Sequence, residues 1–158
     1  MVTKQDHLDI FHRDYPECDA LVTNDPGTAL MIYTADCTPL LLHDPVTGAV
    51  GAAHAGWKGT VLDIGGKTVQ AMIDHFGCDP KNIRAAIGPN IAQCCFETHW
   101  DVPQAMINAL SLKRRGVEQI EISESCTVCE HDRFWSHRFT RGQRGSQGAI
   151  ILCKEGTK

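Results

Sequence analysis

No stretch of this 158-residue chain is apolar for the length of a transmembrane helix, and Met1 opens onto polar residues rather than an apolar leader. A cytoplasmic protein without a membrane partner is therefore expected. Basic patterning is missing as well. The net charge is -4 and no Lys/Arg-rich stripe runs along the sequence, which argues against nucleic-acid binding. The one basic run, Lys113-Arg114-Arg115, reads as a solvated helix end favoured by the helix dipole. There is no internal repeat, low-complexity tract or long linker, and no heptad pattern, so a monomer is expected.

What remains is an ordinary globular composition. Hydrophobic residues make up 42% and charged residues 22%, enough for a real core in one domain spanning residues 1–158. A chain with such a core does not need a disulfide scaffold. The eight cysteines therefore read as thiols of a reducing compartment, buried or reactive.

Ala20–Thr23 is a short strand ending in the turn Asn24-Asp25-Pro26-Gly27. Ala29–Cys37, extending towards Leu42, and Ala49–His54 flank Asp44-Pro45-Val46-Thr47-Gly48, so this pair reads as an antiparallel hairpin. Pro39 removes a ladder hydrogen bond and points to an edge position or a bulge. A helix is predicted from about Thr60 to Phe76, with Gly77 as its stop and Gly65-Gly66 marking close backbone packing. Arg84–Ile87, Ile120–Ile122 and Gly148–Cys153 are further strands. A second helix runs to about Leu112, with Asp101 as N-cap and Pro103 in its first turn. Hairpins outnumber crossover units, which predicts an α+β fold: a mixed sheet with hairpins and flanking helices.

The hairpin carries the sharpest functional signal. If His43 pairs with Gly48, Cys37 falls opposite His54, and directly opposed side chains have Cβ atoms ~5 Å apart. Sulfur and imidazole at that separation can share a metal ion or exchange a proton, since zinc bonds are ~2.3 Å to sulfur and ~2.0 Å to nitrogen. Asp36 points to the other face, or joins the site as a carboxylate behind the ligands if Pro39 induces a bulge. The plainer alternative makes Cys37 a small buried hydrophobe and His54 a satisfied core histidine.

After His54 comes Ala55-Gly56-Trp57-Lys58-Gly59-Thr60, at a strand-to-helix junction. Small residues there permit close backbone approach, and free N–H groups at a helix start favour a phosphate or carboxylate. Simple chain reversal is the structural alternative. Cys126-x-x-Cys129 with His131 and His137 is a rival zinc site, although a single such pair is weak. Strand alternation would send the adjacent Cys94 and Cys95 to opposite faces. Phe134-Trp135-Ser136-His137-Arg138 combines aromatics with a cation, either as core packing with a surface Arg or as base stacking with an anion clamp.

Taken together, Cys18-Asp19-Ala20-Leu21-Val22-Thr23, Thr34-Ala35-Asp36-Cys37, Ala53-His54-Ala55-Gly56-Trp57-Lys58-Gly59, Ala86-Ile87-Gly88-Pro89 and Phe134-Trp135-Ser136-His137-Arg138 resemble the multicopper polyphenol oxidase (laccase) domain family, also described as purine nucleoside phosphorylases. The motifs occur in family order over nearly the whole chain from Cys18 onward. The resemblance implies a fold related to Cys–His toxin deamidases and a metal site, usually for zinc, in which Cys37 and His54 are two ligands. It also implies phosphorolysis of purine nucleosides, adenosine deamination, or copper-dependent oxidation of phenols. The family's third ligand is an upstream histidine in a Gln-Val-His type motif that this sequence does not contain. The expectation is that the chain lacks its N-terminal portion; the alternative is that His7 or His12 substitutes.

These readings converge on a zinc-dependent purine nucleoside phosphorylase that also deaminates adenosine. Cys37, His54, Asp36 and Arg138 are its candidate catalytic residues. Gly56, Trp57, Lys58, Gly59 and His137 are its candidate substrate-binding residues. The expected ligands are a purine nucleoside and phosphate. A copper-dependent phenol oxidase is the alternative, although the paired His-x-His motifs that build multicopper clusters are missing. A metal-free hydrolase with Cys37 as nucleophile and His54 as its base is another.

Overall fold

The computed structural model describes Met1, residues 18–96 and residues 101–154. Its strands are β1 (Ala20–Thr23), β2 (Ala29–Thr34), β3 (Thr38–His43), β4 (Val50–Ala55), β5 (Arg84–Ile87), β6 (Gln119–Ile122) and β7 (Gln147–Leu152), and its helices are α1 (Trp57–Val61), α2 (Ile64–Phe76) and α3 (Gln104–Arg114). The architecture is α+β. A five-stranded sheet runs in the order β1-β4-β3-β5-β6, antiparallel except for the β5–β6 pair, while β2 and β7 form a separate antiparallel ribbon.

Side-chain alternation explains the layering. Along the central β3 and β4, the residues Leu40, Leu42, Ala53 and Ala55 join the core that contains Val69 and Met72 of α2 and Leu112 of α3. Leu41, Val50 and Ala52 point the other way and pack against Leu30 and Ile32 of β2 and Ile151 of β7. The five-stranded sheet is thus covered on both faces, by helices on one and the ribbon on the other. That accounts for the unbroken burial of Val50–Ala53. Small side chains let α2 come close: a Cβ on Gly51 would lie 3.1 Å from Thr68 Cγ2, and one on Gly65 would lie 3.1 Å from Leu40 Cδ1. The close packing expected at Gly65-Gly66 is present at that contact.

Several elements differ from their sequence-based expectations. The run from Ala29 does not continue as one strand through Cys37. It breaks at Ala35–Cys37, so β2 lies in the ribbon and β3 in the sheet. The helix expected from Thr60 to Phe76 is two helices, because Asp63 adopts a left-handed conformation (φ 60°) between α1 and α2. Pro103, rather than Asp101, is the N-cap of α3.

Pro39 is not on an edge, since β3 lies between β4 and β5. It is tolerated because β3 pairs with β5 only from Leu40 onward. The Pro39 carbonyl accepts from Gly88 N–H at 3.0 Å, so its nitrogen faces the same side, beyond the last ladder pair.

The hairpin register also differs. His43 pairs with Val50 rather than Gly48, which places Pro39 opposite His54. The Asp44 carboxylate accepts the Val46 N–H at 2.8 Å and Gly48 takes φ 75°, so the turn uses two more residues before pairing begins.

Candidate active site

Where the chain crosses from the ribbon to the sheet, Asp36 has φ 85°, an uncommon conformation for a residue with a side chain. Three hydrogen bonds fix it. Its carbonyl accepts from Ile91 N–H at 2.8 Å, and its buried carboxylate accepts from the Thr127 hydroxyl and the Arg138 N–H, each at 2.7 Å. Both carboxylate oxygens are engaged away from His54, so Asp36 positions the loop through Thr127 and Arg138. It is not the carboxylate behind His54.

The loop delivers Cys37 to the head of β3. Cys37 is not opposite His54; that place belongs to Pro39. A shift of two residues preserves the face of a strand, however, so Cys37 is a diagonal neighbour of His54 on the ribbon-facing side. The two side chains meet at Gly56, where a methyl group would lie 3.4 Å from Cys37 Sγ and 3.8 Å from His54 Cε1. Gly56 therefore keeps open a small space bounded by sulfur and imidazole.

His54 Nδ1 lies 3.3 Å from Asp19 Oδ1. This carboxylate stands where a partner that orients the imidazole is expected. The hydrogen bond shared with Cys37 raises the His54 pKa above its ordinary value. Burial opposes that shift, and the charge of Cys37 and the Asp19 carboxylate reinforce it.

Gly56 is the N-cap of α1, without a side-chain capping bond. Trp57 is exposed, and Lys58 Nζ lies 5.6 Å from its ring centre. The junction is anchored from below by a polar network within the core. Gln104 Nε2 donates to the Ala55 carbonyl at 2.6 Å and to Thr60 Oγ1 at 3.0 Å, and Asn108 Nδ2 also donates to Thr60 Oγ1 at 3.0 Å. Sequence reasoning missed this network. Its signal was present: two amides four residues apart, on the face of α3 that buries Ala105, Ala109 and Leu112.

The stretch 123–146 between β6 and β7 contains turns but no helix or strand. It brings the Arg138 backbone to Asp36, while the Arg138 side chain is exposed. His137 is exposed and accepts from Arg144 Nε at 3.4 Å. His131 stacks on Phe139, ring centres 3.7 Å apart.

Neither histidine joins Cys126 and Cys129, which corrects the Cys/His set expected there. The partners are Cys94 and Cys95, which lie in a turn rather than a strand and so do not diverge to opposite faces. These four thiols form a set able to hold a metal ion, and among the described residues no other group of three or more His, Cys, Asp or Glu is gathered in this way. Burial raises the Cys126 pKa, but hydrogen bonds from the Cys129, Ala92 and Val128 amides outweigh it and pull the thiol down to about 7.

The space beside Gly56 and the donor chemistry of Cys37 and His54 suit two positions of a zinc or copper ion. No third side-chain ligand accompanies them among the described residues. His7 and His12 lie outside the described residues.

Among the described residues no helix is long and apolar enough to cross a membrane. A model of the family described as multi-copper polyphenol oxidoreductase laccase matches residues 1–111 and 98–154. A Deinococcus radiodurans protein named purine nucleoside phosphorylase is 40% identical over 91% of this chain and 66% of its own length. Purine nucleoside phosphorylase ORF3 of Streptomyces griseus is 46% identical over 88% of this chain and 65% of its own. The crystal structure of YlmD from Geobacillus stearothermophilus superposes with a TM-score of 0.81 at 33% identity, over 87% of this chain and 61% of that one. The chain thus spans less than two thirds of the length of these relatives. The family match over nearly its whole extent, together with these identities, shows that the chain belongs to the multi-copper polyphenol oxidoreductase laccase family, with relatives named purine nucleoside phosphorylase.

Proposed function

We propose that this chain carries the site of a cytoplasmic purine nucleoside phosphorylase built around Cys37 and His54, acting as a single catalytic domain and a monomer. The observation that carries the reading is the space kept open by Gly56 between Cys37 Sγ and His54. The names of the relatives supply the reaction class. In that reaction a phosphate oxygen bonds to ribose C1′ as the C1′–N9 bond breaks, and the electron pair of that bond leaves with the purine.

The amides opening α1 and the Lys58 ammonium would hold the phosphate, and the exposed Arg138 guanidinium would add a second positive charge. Trp57 supplies an exposed aromatic face beside them, and His137 a further polar contact. With Asp19 behind its Nδ1, the His54 imidazole would be oriented to present its other ring nitrogen to a metal ion. Cys37 and His54 would hold zinc together with a third ligand, and the ion when bound supplies Lewis acidity. Deamination of adenosine is the second activity expected of this site. Asp36 acts as a positioning residue, holding the loop that presents Cys37.

Incubating the zinc-loaded protein with inosine and phosphate should release hypoxanthine in a phosphate-dependent manner. Unchanged release from Cys37→Ala would overturn the assignment of the site.

One observation favours a second reading. Cys37, His54 and Asp19 form a chain of thiol, imidazole and carboxylate, the order used by metal-free Cys–His hydrolases. Activity that survives strong chelation and is abolished by alkylation of Cys37 would select it. Copper-dependent phenol oxidation rests on the family description alone. Oxygen uptake on a phenol by the copper-loaded protein is its test.

A further inference from the structure

Of the four thiols gathered between the turn at 91–96 and the segment at 126–129, Cys94 Sγ lies 3.7 Å from Cys95, 3.7 Å from Cys126 and 3.6 Å from Cys129, and Cys95 Sγ lies 3.5 Å from Cys129. All four sulfurs are within 4.8 Å of one another. A tetrahedron with zinc–sulfur bonds of ~2.3 Å has edges of ~3.8 Å, close to these separations. A disulfide would need ~2.05 Å, and all eight cysteines are free.

We propose that Cys94, Cys95, Cys126 and Cys129 bind a structural zinc ion, separate from the Cys37–His54 site. Four sulfur donors and no oxygen donor select a soft or borderline cation over magnesium or calcium. Four protein ligands leave no open coordination position, so the ion is structural rather than catalytic. One of the four sulfurs is already held by backbone amides. Cys126 Sγ accepts from the Ala92 N–H at 3.4 Å and from the Val128 and Cys129 amides within its own Cys-x-x-Cys turn. Cys126 is buried while Cys94 and Cys129 are exposed, which leaves a route for the ion to enter.

The position explains why such a cross-link is useful. The stretch 123–146 has no ladder or helix of its own to hold it. Its attachments near the thiols are the isolated Asn90–Cys126 bridge and the bond from Thr127 N–H to the Asn90 carbonyl at 3.1 Å. Thr127 is flanked by the thiols and donates its hydroxyl to Asp36, next to Cys37. Zinc at the four thiols would therefore fix the strut on which the Cys37 loop rests.

Cobalt(II) added alone to the reduced, metal-free full chain tests this. Intense visible ligand-field bands and sulfur-to-cobalt charge transfer of a four-thiolate tetrahedral site are expected, at one equivalent per chain. They should persist in Cys37→Ala and disappear in Cys129→Ser. Zinc should displace the cobalt, and its removal by a chelator should lower the melting temperature of the wild type by about 5–10 °C. If Cys129→Ser does not fold, the wild-type spectrum decides alone, because a site containing imidazole lacks the four-thiolate signature. Failure of the reduced wild type to bind cobalt with that signature overturns the proposal, as does its retention in Cys129→Ser. Loss of nucleoside turnover in Cys37→Ala with the signature intact separates this site from the catalytic one.

Discussion

The Thr127 hydroxyl donates to Asp36 Oδ1 at 2.7 Å, and both residues are buried. The bond joins the irregular 123–146 segment to the loop that carries Cys37. Thr127→Val keeps the shape of the side chain and leaves a buried carboxylate oxygen short of a donor, at a cost of about 1–3 kcal/mol. Denaturant titration should show that loss, and nucleoside turnover should fall with it. Thr127→Ser should restore both.

Gly56 has φ -70°, which any residue can adopt, so its role is spatial rather than conformational. An alanine methyl would stand at ordinary contact distance from Cys37 Sγ and His54, whereas the branches of valine would fill the space between them. Gly56→Val is expected to lower kcat/KM by about 100-fold, a loss typical of displaced reacting groups, with Gly56→Ala intermediate. Melting temperatures should remain close to wild type. A Gly56→Val enzyme with full activity would remove this space from the mechanism.

Gln104 is buried and is the side-chain donor to the Ala55 carbonyl at the strand-to-helix junction. Gln104→Leu has similar volume but leaves that carbonyl and one Thr60 interaction unmet. It should destabilise the fold by about 1–3 kcal/mol, seen as a lower denaturant midpoint with an unchanged slope. Because the network seats α1, KM for phosphate should also rise. A stability loss without a change in KM would limit the network to a structural role.

The contrast between what could and could not be read in the sequence has physical causes. Ala20–Thr23 and Arg84–Ile87 were legible because short apolar runs bounded by turn residues have few alternatives as strands. The meeting of Cys37 and His54 survived a two-residue register error, since a shift of two keeps both residues on their original face. The turn length is not legible in the sequence because the Asp44 side chain closes it on Val46, a local bond that hydrophobic alternation does not encode. The break at Asp63 was hidden because Val61 and Leu62 continue the helical pattern while remaining exposed. The convergence of Cys94 and Cys95 is hidden for a related reason: adjacent residues diverge in a strand but not in a turn. Their partners lie more than thirty residues away, brought close by the Asn90–Cys126 bridge.

Asp63 provides a test of electrostatics at that helix break. Its carboxylate accepts from the Ser111 hydroxyl and pairs with Arg115 Nη2 at 3.0 Å. Burial raises its pKa, but the Ser111 bond and the Arg115 bond and charge prevail and hold it below the ordinary carboxylate value. A depressed pKa in the folded state means that the unfolded chain binds the proton more readily. The pair therefore stabilises the fold above the unfolded value of ~3.9, and its contribution is lost as pH falls through the folded value. Both side chains are more than a third exposed, at 37% for Arg115 and 41% for Asp63, so solvent screening limits the contribution to about 1 kcal/mol or less. Melting curves of the wild type and Asp63→Asn should differ at pH 7 and converge on acidification below pH ~4. High salt should narrow the gap at neutral pH. An Asp63→Asn variant that melts above the wild type at pH 7 would mean that the carboxylate destabilises the helix junction instead.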